Sequence, residues 1–221
     1  MVNQTFYIGR TIGFEVSVKE LWFEIFLLGM VLMVPIHYAS IKHEALKKRF
    51  GEKKGERIGE VLGMISGWGF FGFWFGIWLA PQPLFYLNIG PLIVMIRIFE
   101  YQIILHHLLI GLVFIIPGAY LGIAGVRTMG IKAAETHHPE EVISTGIYSR
   151  VRHPQYLGGI LSHVGIVFLL QAGSAFNATI IIIILNALLC WLEERELLRE
   201  FGDEYKEYKE EVPMLIPRLR T

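Results

Sequence analysis

The sequence holds one cysteine, Cys190, among 221 residues, and that cysteine lies inside an apolar run. A lone thiol cannot build an intrachain disulfide framework, and no Cys/His spacing resembles a zinc site, so neither a disulfide scaffold nor a metal centre is expected. Charge is scarce as well. Charged residues make up 18% of the chain, and 20 Lys and Arg balance 20 Asp and Glu. With no net field to attract polyanions, nucleic acid is not an expected partner. Internal repeats and low-complexity segments are also missing. What the chain has in quantity is apolar sequence: 53% of its residues are hydrophobic, its mean hydropathy is +0.49, and its apolar runs approach the ~20 residues that cross a bilayer as a helix. The composition points to an all-α integral membrane bundle rather than a soluble domain.

The first 20 residues carry Arg10, Glu15, Lys19 and Glu20, and the first long apolar run starts at Leu21. That run is too long for a signal core and lacks a small-residue cleavage site after it, so it reads as a retained span. Four spans are plain: Leu21–Ser40, Val61–Ala80, Ile103–Val126 and Ser174–Leu192. Gly158–Ala172 is a shorter, uncharged fifth. Leu84–Phe99, with Asn88, Pro91 and Arg97, fits a span, a re-entrant piece or an interfacial helix. Loop charge arbitrates, because cytoplasmic loops are rich in Lys and Arg. Basic residues gather in the first loop (Lys42, Lys47, Lys48, Arg49, Lys53, Lys54, Arg57), in the segment with Arg127, Lys132, Arg150 and Arg152, and in the tail from Arg195 to Arg220. About five transmembrane helices put all three on one side, with the N-terminus outside and the C-terminus cytoplasmic. Six would separate the first loop from the others. The chain reads as a single transmembrane domain, 1–221, with its catalytic elements in about 138–217.

Two clusters could hold chemistry. The first, Ser144 to Gly158, sets Tyr148, Arg152, His153 and Tyr156 on backbone made irregular by Gly146 and Pro154. Arg152 alone would suit a positive-inside anchor, and either tyrosine an interfacial aromatic. Gathered on one short turn they point to a site, because irregular backbone near the bilayer persists where it is buried in protein or lines a wet cavity. The second cluster is Glu193-Glu194 directly after the last span, where two adjacent carboxylates repel unless a cation is near. Leu197, Phe201, Tyr205 and Tyr208 follow at helical spacing, as an amphipathic piece lying on the membrane or over the mouth of the bundle. Polar residues within spans are functional candidates by default. His163 lies seven residues after Tyr156 on one helix face, and Asn186, Cys190 and Glu193 share another. His106 and His107 lie near a span end and read as snorkelling side chains.

The run Thr145-Gly-Ile-Tyr148, then Arg152-His-Pro-Gln-Tyr156, an apolar hairpin, Glu193-Glu194, and Phe201-Gly-Asp-Glu-Tyr205 with Tyr208 resembles the isoprenylcysteine carboxyl methyltransferase family. More widely it resembles the membrane methyltransferases that include phospholipid N-methyltransferases. The likeness covers roughly residues 138–217, and its motifs are specific in combination rather than singly. It implies an S-adenosylmethionine-dependent methyltransferase with its cofactor bound on the cytoplasmic side. Matched by position, Val142, Ile143, Tyr148, His153, Pro154, Gln155, Tyr156 and Glu193 fall on cofactor-contacting places. Arg152, His163 and Asn186 are candidates for the substrate. A zwitterionic sulfonium cofactor calls for hydrogen bonds, aromatic faces and a carboxylate near its cationic parts.

The family's prenylcysteine enzymes place a substrate-binding arginine four residues before the cofactor glutamate, where this chain has Leu189. The expected acceptor is therefore a lipophilic or small amphiphilic molecule, such as a small thiol, a lipid amine or another acid, and membrane lipids are the expected surroundings. Two other readings compete. An NADPH-dependent membrane reductase of sterol-reductase-like architecture would need extra basic residues for the 2′-phosphate, and the acidic pair argues against it. A non-catalytic membrane protein of the same fold is the other.

Overall fold

The computed structural model describes residues 18–87, 94–98, 101–136, 139 and 141–218. The elements are α1 (Val18–Ser40), α2 (His43–Phe50), α3 (Glu52–Leu79), the strands β1 (Met95–Ile98) and β2 (Tyr101–Ile104), α4 (Leu105–Met129), α5 (Ile131–Thr136), a 3₁₀ turn at Gly146–Ser149, α6 (Pro154–Leu170) and α7 (Gly173–Glu211). Helices α1, α3, α4 and α7 are each long and apolar enough to cross a membrane. α6, with 17 residues, would span about 26 Å at the helical rise, close to the lower limit for a crossing.

Two antiparallel helix pairs form the body. In the first, α1 packs on α3, with Gly29 of α1 against Phe73 and with Gly69 and Gly76 of α3 receiving Met33 and Phe26. In the second, α4 packs on α6 with the two backbones nearly touching. A Cβ added to Gly158 would lie 2.6 Å from the Gly118 carbonyl, and one on Gly165 would lie 2.6 Å from that of Gly111. Without a hydrophobic driving force between helices in lipid, such small-residue contacts supply much of the association. α7 then runs between the pairs, touching both α1 and α6. Its inward residues, Ala175, Ala178, Ile182, Leu185 and Leu189, join Phe23, Met30, Phe70 and Trp74 in the main core.

The segment Leu84–Phe99 contains no span-length helix among its described residues. Pro81 and Pro83 follow the end of α3. Leu84 bridges to Ala172, and Met95–Ile98 pairs in register with Tyr101–Ile104 as a hairpin. β-Branched and aromatic residues favour the strand, and residues 88–93 and 99–100 lie outside the described part. The same hairpin takes Ile103 and Ile104, so the third span begins at Leu105 instead of Ile103 and runs on to Met129. The last helix extends far past Leu192. At 39 residues it measures roughly 58 Å, about twice a hydrocarbon core, so its apolar part Ser174–Leu192 is the span and the remainder stands beyond it. Gly202, at φ 55° and ψ −125°, kinks that extension.

The α4–α6 contact gives a direct test. Gly158→Leu should cost about 3 kcal/mol or more, at or beyond the upper end for overpacking because backbone rather than side chain blocks it. Gly122→Ala, which meets nothing within 4 Å, should be nearly neutral. Thermal unfolding of both variants in nanodiscs would check this, and equal losses would contradict the packing.

Candidate active site

Adjacent helical residues point about 100° apart, so one helix can turn two consecutive carboxylates to two different places. On α7, Glu193 faces a cavity and Glu194 faces the C-terminal tail. The Tyr156 hydroxyl donates to Glu193 Oε1, His37 Nε2 lies 3.1 Å from the same oxygen, and His153 Nδ1 lies 3.5 Å from Oε2. Glu194, only 2% exposed, accepts from Arg152 Nε at 2.8 Å. Arg152 Nη2 lies 2.6 Å from it, Lys209 Nζ 3.0 Å and His153 Nε2 3.3 Å.

Arg152 also ties down the tail backbone. Its Nη1 donates to the carbonyls of Lys209, at 2.9 Å, and of Val212. The backbone N–H groups of Arg152 and His153 donate to the carbonyls of Pro213 and Met214 at 3.0 and 3.1 Å. Tyr208 adds a hydrogen bond from its hydroxyl to the Tyr148 carbonyl at 2.7 Å, while Tyr205, Tyr208 and Val212 bury against Val142, Leu197 and Phe201. Pro154 begins α6, where its missing N–H costs nothing. The start of α6 is thereby fastened to the end of α7.

Electrostatics follow burial. Burial alone would raise the Glu194 pKa, but hydrogen bonds from His153, Lys209 and Arg152 outweigh it and hold the carboxyl at about 2. Burial pushes the Tyr148 phenol up to about 12, partly offset by the Gln155 side chain, whose Nε2 donates to its hydroxyl at 3.2 Å. Tyr205 and Tyr208 are also raised, chiefly by burial. These phenols stay neutral at physiological pH.

The cavity measures about 600 Å³, within the range of small-molecule and cofactor sites. It brings together Val142, Ile143, Tyr148, Arg152, His153, Gln155, Tyr156, Asn186 and Glu193. Pro154 is buried at the head of α6 without lining the cavity. His163 also lies outside the lining. Its Nδ1 accepts from the indole N–H groups of Trp74 and Trp78 at 3.0 and 2.8 Å, and its Nε2 therefore carries the proton facing Thr179 Oγ1 at 3.3 Å. Arg152 lines the cavity, but all three of its nitrogens are engaged by Glu194 and the tail. The wall also contains residues that sequence reasoning missed: His37 on α1 and Ser66, Phe70 and Trp74 on α3. His37, a titratable group within the first span, carried the one available signal, since such residues are functional candidates by default.

Comparison with known proteins shows what part of this chain is similar to. Residues 106–204 match the phospholipid methyltransferase family, a similarity in line with the resemblance read from the sequence. Methanethiol S-methyltransferase 1 of Bradyrhizobium diazoefficiens is 41% identical over 75 residues, 34% of this chain and 26% of that protein. Protein-S-isoprenylcysteine O-methyltransferase of Schizosaccharomyces pombe is 32% identical over 104 residues, 43% of this chain and 41% of that protein. The B form of the latter enzyme from Arabidopsis thaliana is 33% identical over 115 residues, 48% of this chain and 57% of that protein. The chain thus spans between about a quarter and somewhat over half of the length of these relatives. No solved structure matches it.

Because the Glu194 pKa is depressed from 4.5 to about 2, its ion pairs contribute full stability above about pH 4.5, and that stability is lost as pH falls toward 2. In Glu194→Gln this acid-dependent component should be missing, and stability at neutral pH should fall by roughly 3–5 kcal/mol, the cost of stranding a buried partner. Unfolding midpoints of both proteins between pH 7 and pH 3 measure it. An unchanged acid slope in the variant would contradict the assignment.

Proposed function

We propose that this chain is an S-adenosylmethionine-dependent membrane methyltransferase acting on a lipophilic or small amphiphilic acceptor, with its active site facing the cytoplasm. The observation that carries the reading is the division of one cavity. A carboxylate with two imidazoles and a phenol stands in one part of its wall, apolar and aromatic side chains line much of the rest, and of those polar groups all but His37 come from the segment that matches the phospholipid methyltransferase family. That donor set fits the cofactor, since a sulfonium zwitterion needs a carboxylate, hydrogen-bonding partners and aromatic faces. When bound, the cofactor would supply an electrophilic methyl group.

The protein's own groups hold and orient. Glu193 attracts the cationic part of the ligand. Tyr156, His37 and His153 fix that carboxylate, and Tyr148 and Gln155 offer neutral hydrogen-bonding groups. Val142 and Ile143 cover the ligand from the connecting segment. The docked tail excludes water, which strengthens each of these interactions. Transfer of a methyl group needs alignment more than acid–base machinery. Leu189 puts no cation where a prenylcysteine carboxylate would pair, so that acceptor is disfavoured. The basic loops support the cytoplasmic orientation.

S-adenosylhomocysteine should bind the purified protein and raise its melting temperature, as a ligand selective for the folded state must. Glu193→Gln should weaken that binding by roughly 1.5–3 kcal/mol, the scale of a charged hydrogen bond, or about tenfold or more. Glu194→Gln should cost clearly less affinity once folding is accounted for. Stabilisation by NADPH alone would favour the reductase instead.

Orientation has its own check. Cysteines placed singly at Glu52 and Lys206 in a Cys190→Ala background should both label only from the cytosolic side. Labelling from opposite sides would refute the proposed topology.

A further inference from the structure

The wall of the cavity contains two polar side chains among apolar neighbours, Ser66 on α3 and Asn186 on α7, each 1% exposed. Ser66 has a single hydroxyl proton, and Oγ donates it to the Gly63 carbonyl at 3.0 Å. The oxygen is left with lone pairs to offer. Asn186 Nδ2 donates to the Ile182 carbonyl at 2.8 Å. Turning the amide over would set Oδ1 against that carbonyl, acceptor to acceptor, so the hydrogen bond fixes which atom is which. Oδ1 then has no hydrogen-bond partner among the described residues, a buried acceptor whose cost a ligand's donor would relieve. Met33, Phe70, Trp74 and Leu189 also line the cavity. The Trp74 N–H is engaged by His163, and the Arg152 nitrogens by Glu194, Lys209 and Val212.

We propose that Asn186 and Ser66 determine acceptor specificity by presenting hydrogen-bond acceptors, so that the cavity selects an apolar molecule whose reacting heteroatom carries hydrogen, a thiol or an amine, over a carboxylate. This rests on the methyl-transfer reading. A carboxylate would set its own acceptor oxygens against two acceptors, with at most the second Nδ2 hydrogen of Asn186 to offset its lost hydration. A thiol or amine would give Asn186 Oδ1 the donor it lacks.

The test uses the full chain in nanodiscs, titrated calorimetrically with benzyl mercaptan, benzylamine, benzyl methyl sulfide and phenylacetate, with and without saturating S-adenosylhomocysteine. Wild-type protein should bind the mercaptan or the amine at least tenfold more tightly than phenylacetate and the capped sulfide. Which of the two binds better distinguishes thiol from amine. Asn186→Leu should reduce that preference about tenfold while leaving the affinity for S-adenosylhomocysteine within threefold. Ser66→Ala, which removes one oxygen and should fold even if the other variant does not, should shift the preference the same way by a smaller factor. Phenylacetate binding as tightly as the mercaptan and the amine, no binding by any probe, or an unchanged preference in both variants would each overturn the proposal. Failure of S-adenosylhomocysteine to bind wild-type protein would instead remove the methyl-transfer reading, and the probe preference without it would still decide the role of the pair.

Discussion

Glu194 is a carboxylate taken almost wholly out of water at the point where α7 leaves the apolar layer. Left alone it would protonate or pull the helix end into solvent, since an isolated buried charge is far too costly to keep. It is held because Arg152, Lys209 and His153 converge on it from two parts of the chain, the head of α6 and the tail. The geometry of the site descends from that convergence. Fixing Glu194 toward Arg152 sets the rotation of α7 about its axis, and a rotation that points Glu194 at the tail points Glu193 at the cavity. A buried ion pair is weak evidence for stability as such, because desolvation offsets most of the attraction. Its contribution here is to register: it specifies how α6, α7 and the tail meet.

The helix pairs around this joint have different work. Backbone contact between α4 and α6 makes a thin, stiff pair that positions the turn at 146–153. The α1–α3 pair carries larger side chains and leaves its inner face, with Met33, Ser66, Phe70 and Trp74, toward the cavity. α7 packs between the two pairs, and His163 of α6 joins them directly through Trp74 and Trp78 of α3, beside a cavity of about 600 Å³.

Much of this was legible in the residues. The apolar runs located the crossing helices, and the turn from Thr145 to Tyr156 with the acidic pair located the polar end of the cavity, because those residue types are conspicuous against an apolar background. The 100° offset between neighbours allows only one of the acidic pair to face inward, and the stripe shared with Asn186 together with the family resemblance pointed to Glu193. Burial of Glu194 was legible only in part: adjacent carboxylates signal a nearby cation, but the sequence does not say that Arg152, 42 positions away, is turned back by the tail to supply it. The strands at 95–104 were hidden by composition, since a run rich in isoleucine suits a span as well as a hairpin. The α1–α3 contribution was the largest omission. Apolar wall residues carry no chemical signature, and His37 was not singled out within the first span.

His163 shows why position on a helix face is weaker evidence than a partner list. It shares a face with Tyr156 and was a fair substrate candidate on that ground, yet two indole N–H groups take its acceptor nitrogen and Thr179 faces the other. With both nitrogens occupied, the imidazole acts as a polar joint between α3, α6 and α7. Asn186 has the opposite accounting: one amide hydrogen is engaged within its own helix, while its oxygen has no partner among the described residues. Both are polar residues buried in apolar surroundings, and spacing treats them alike. Hydrogen-bond accounting separates them, because a buried acceptor without a partner is a cost the protein retains only where a donor arrives from elsewhere or where strain is tolerated for another reason. In a cavity walled by aromatic rings, an arriving donor is the simpler of those two explanations, and under the proposal made above the chemical selectivity of the site lies two helical turns along α7 from Glu193.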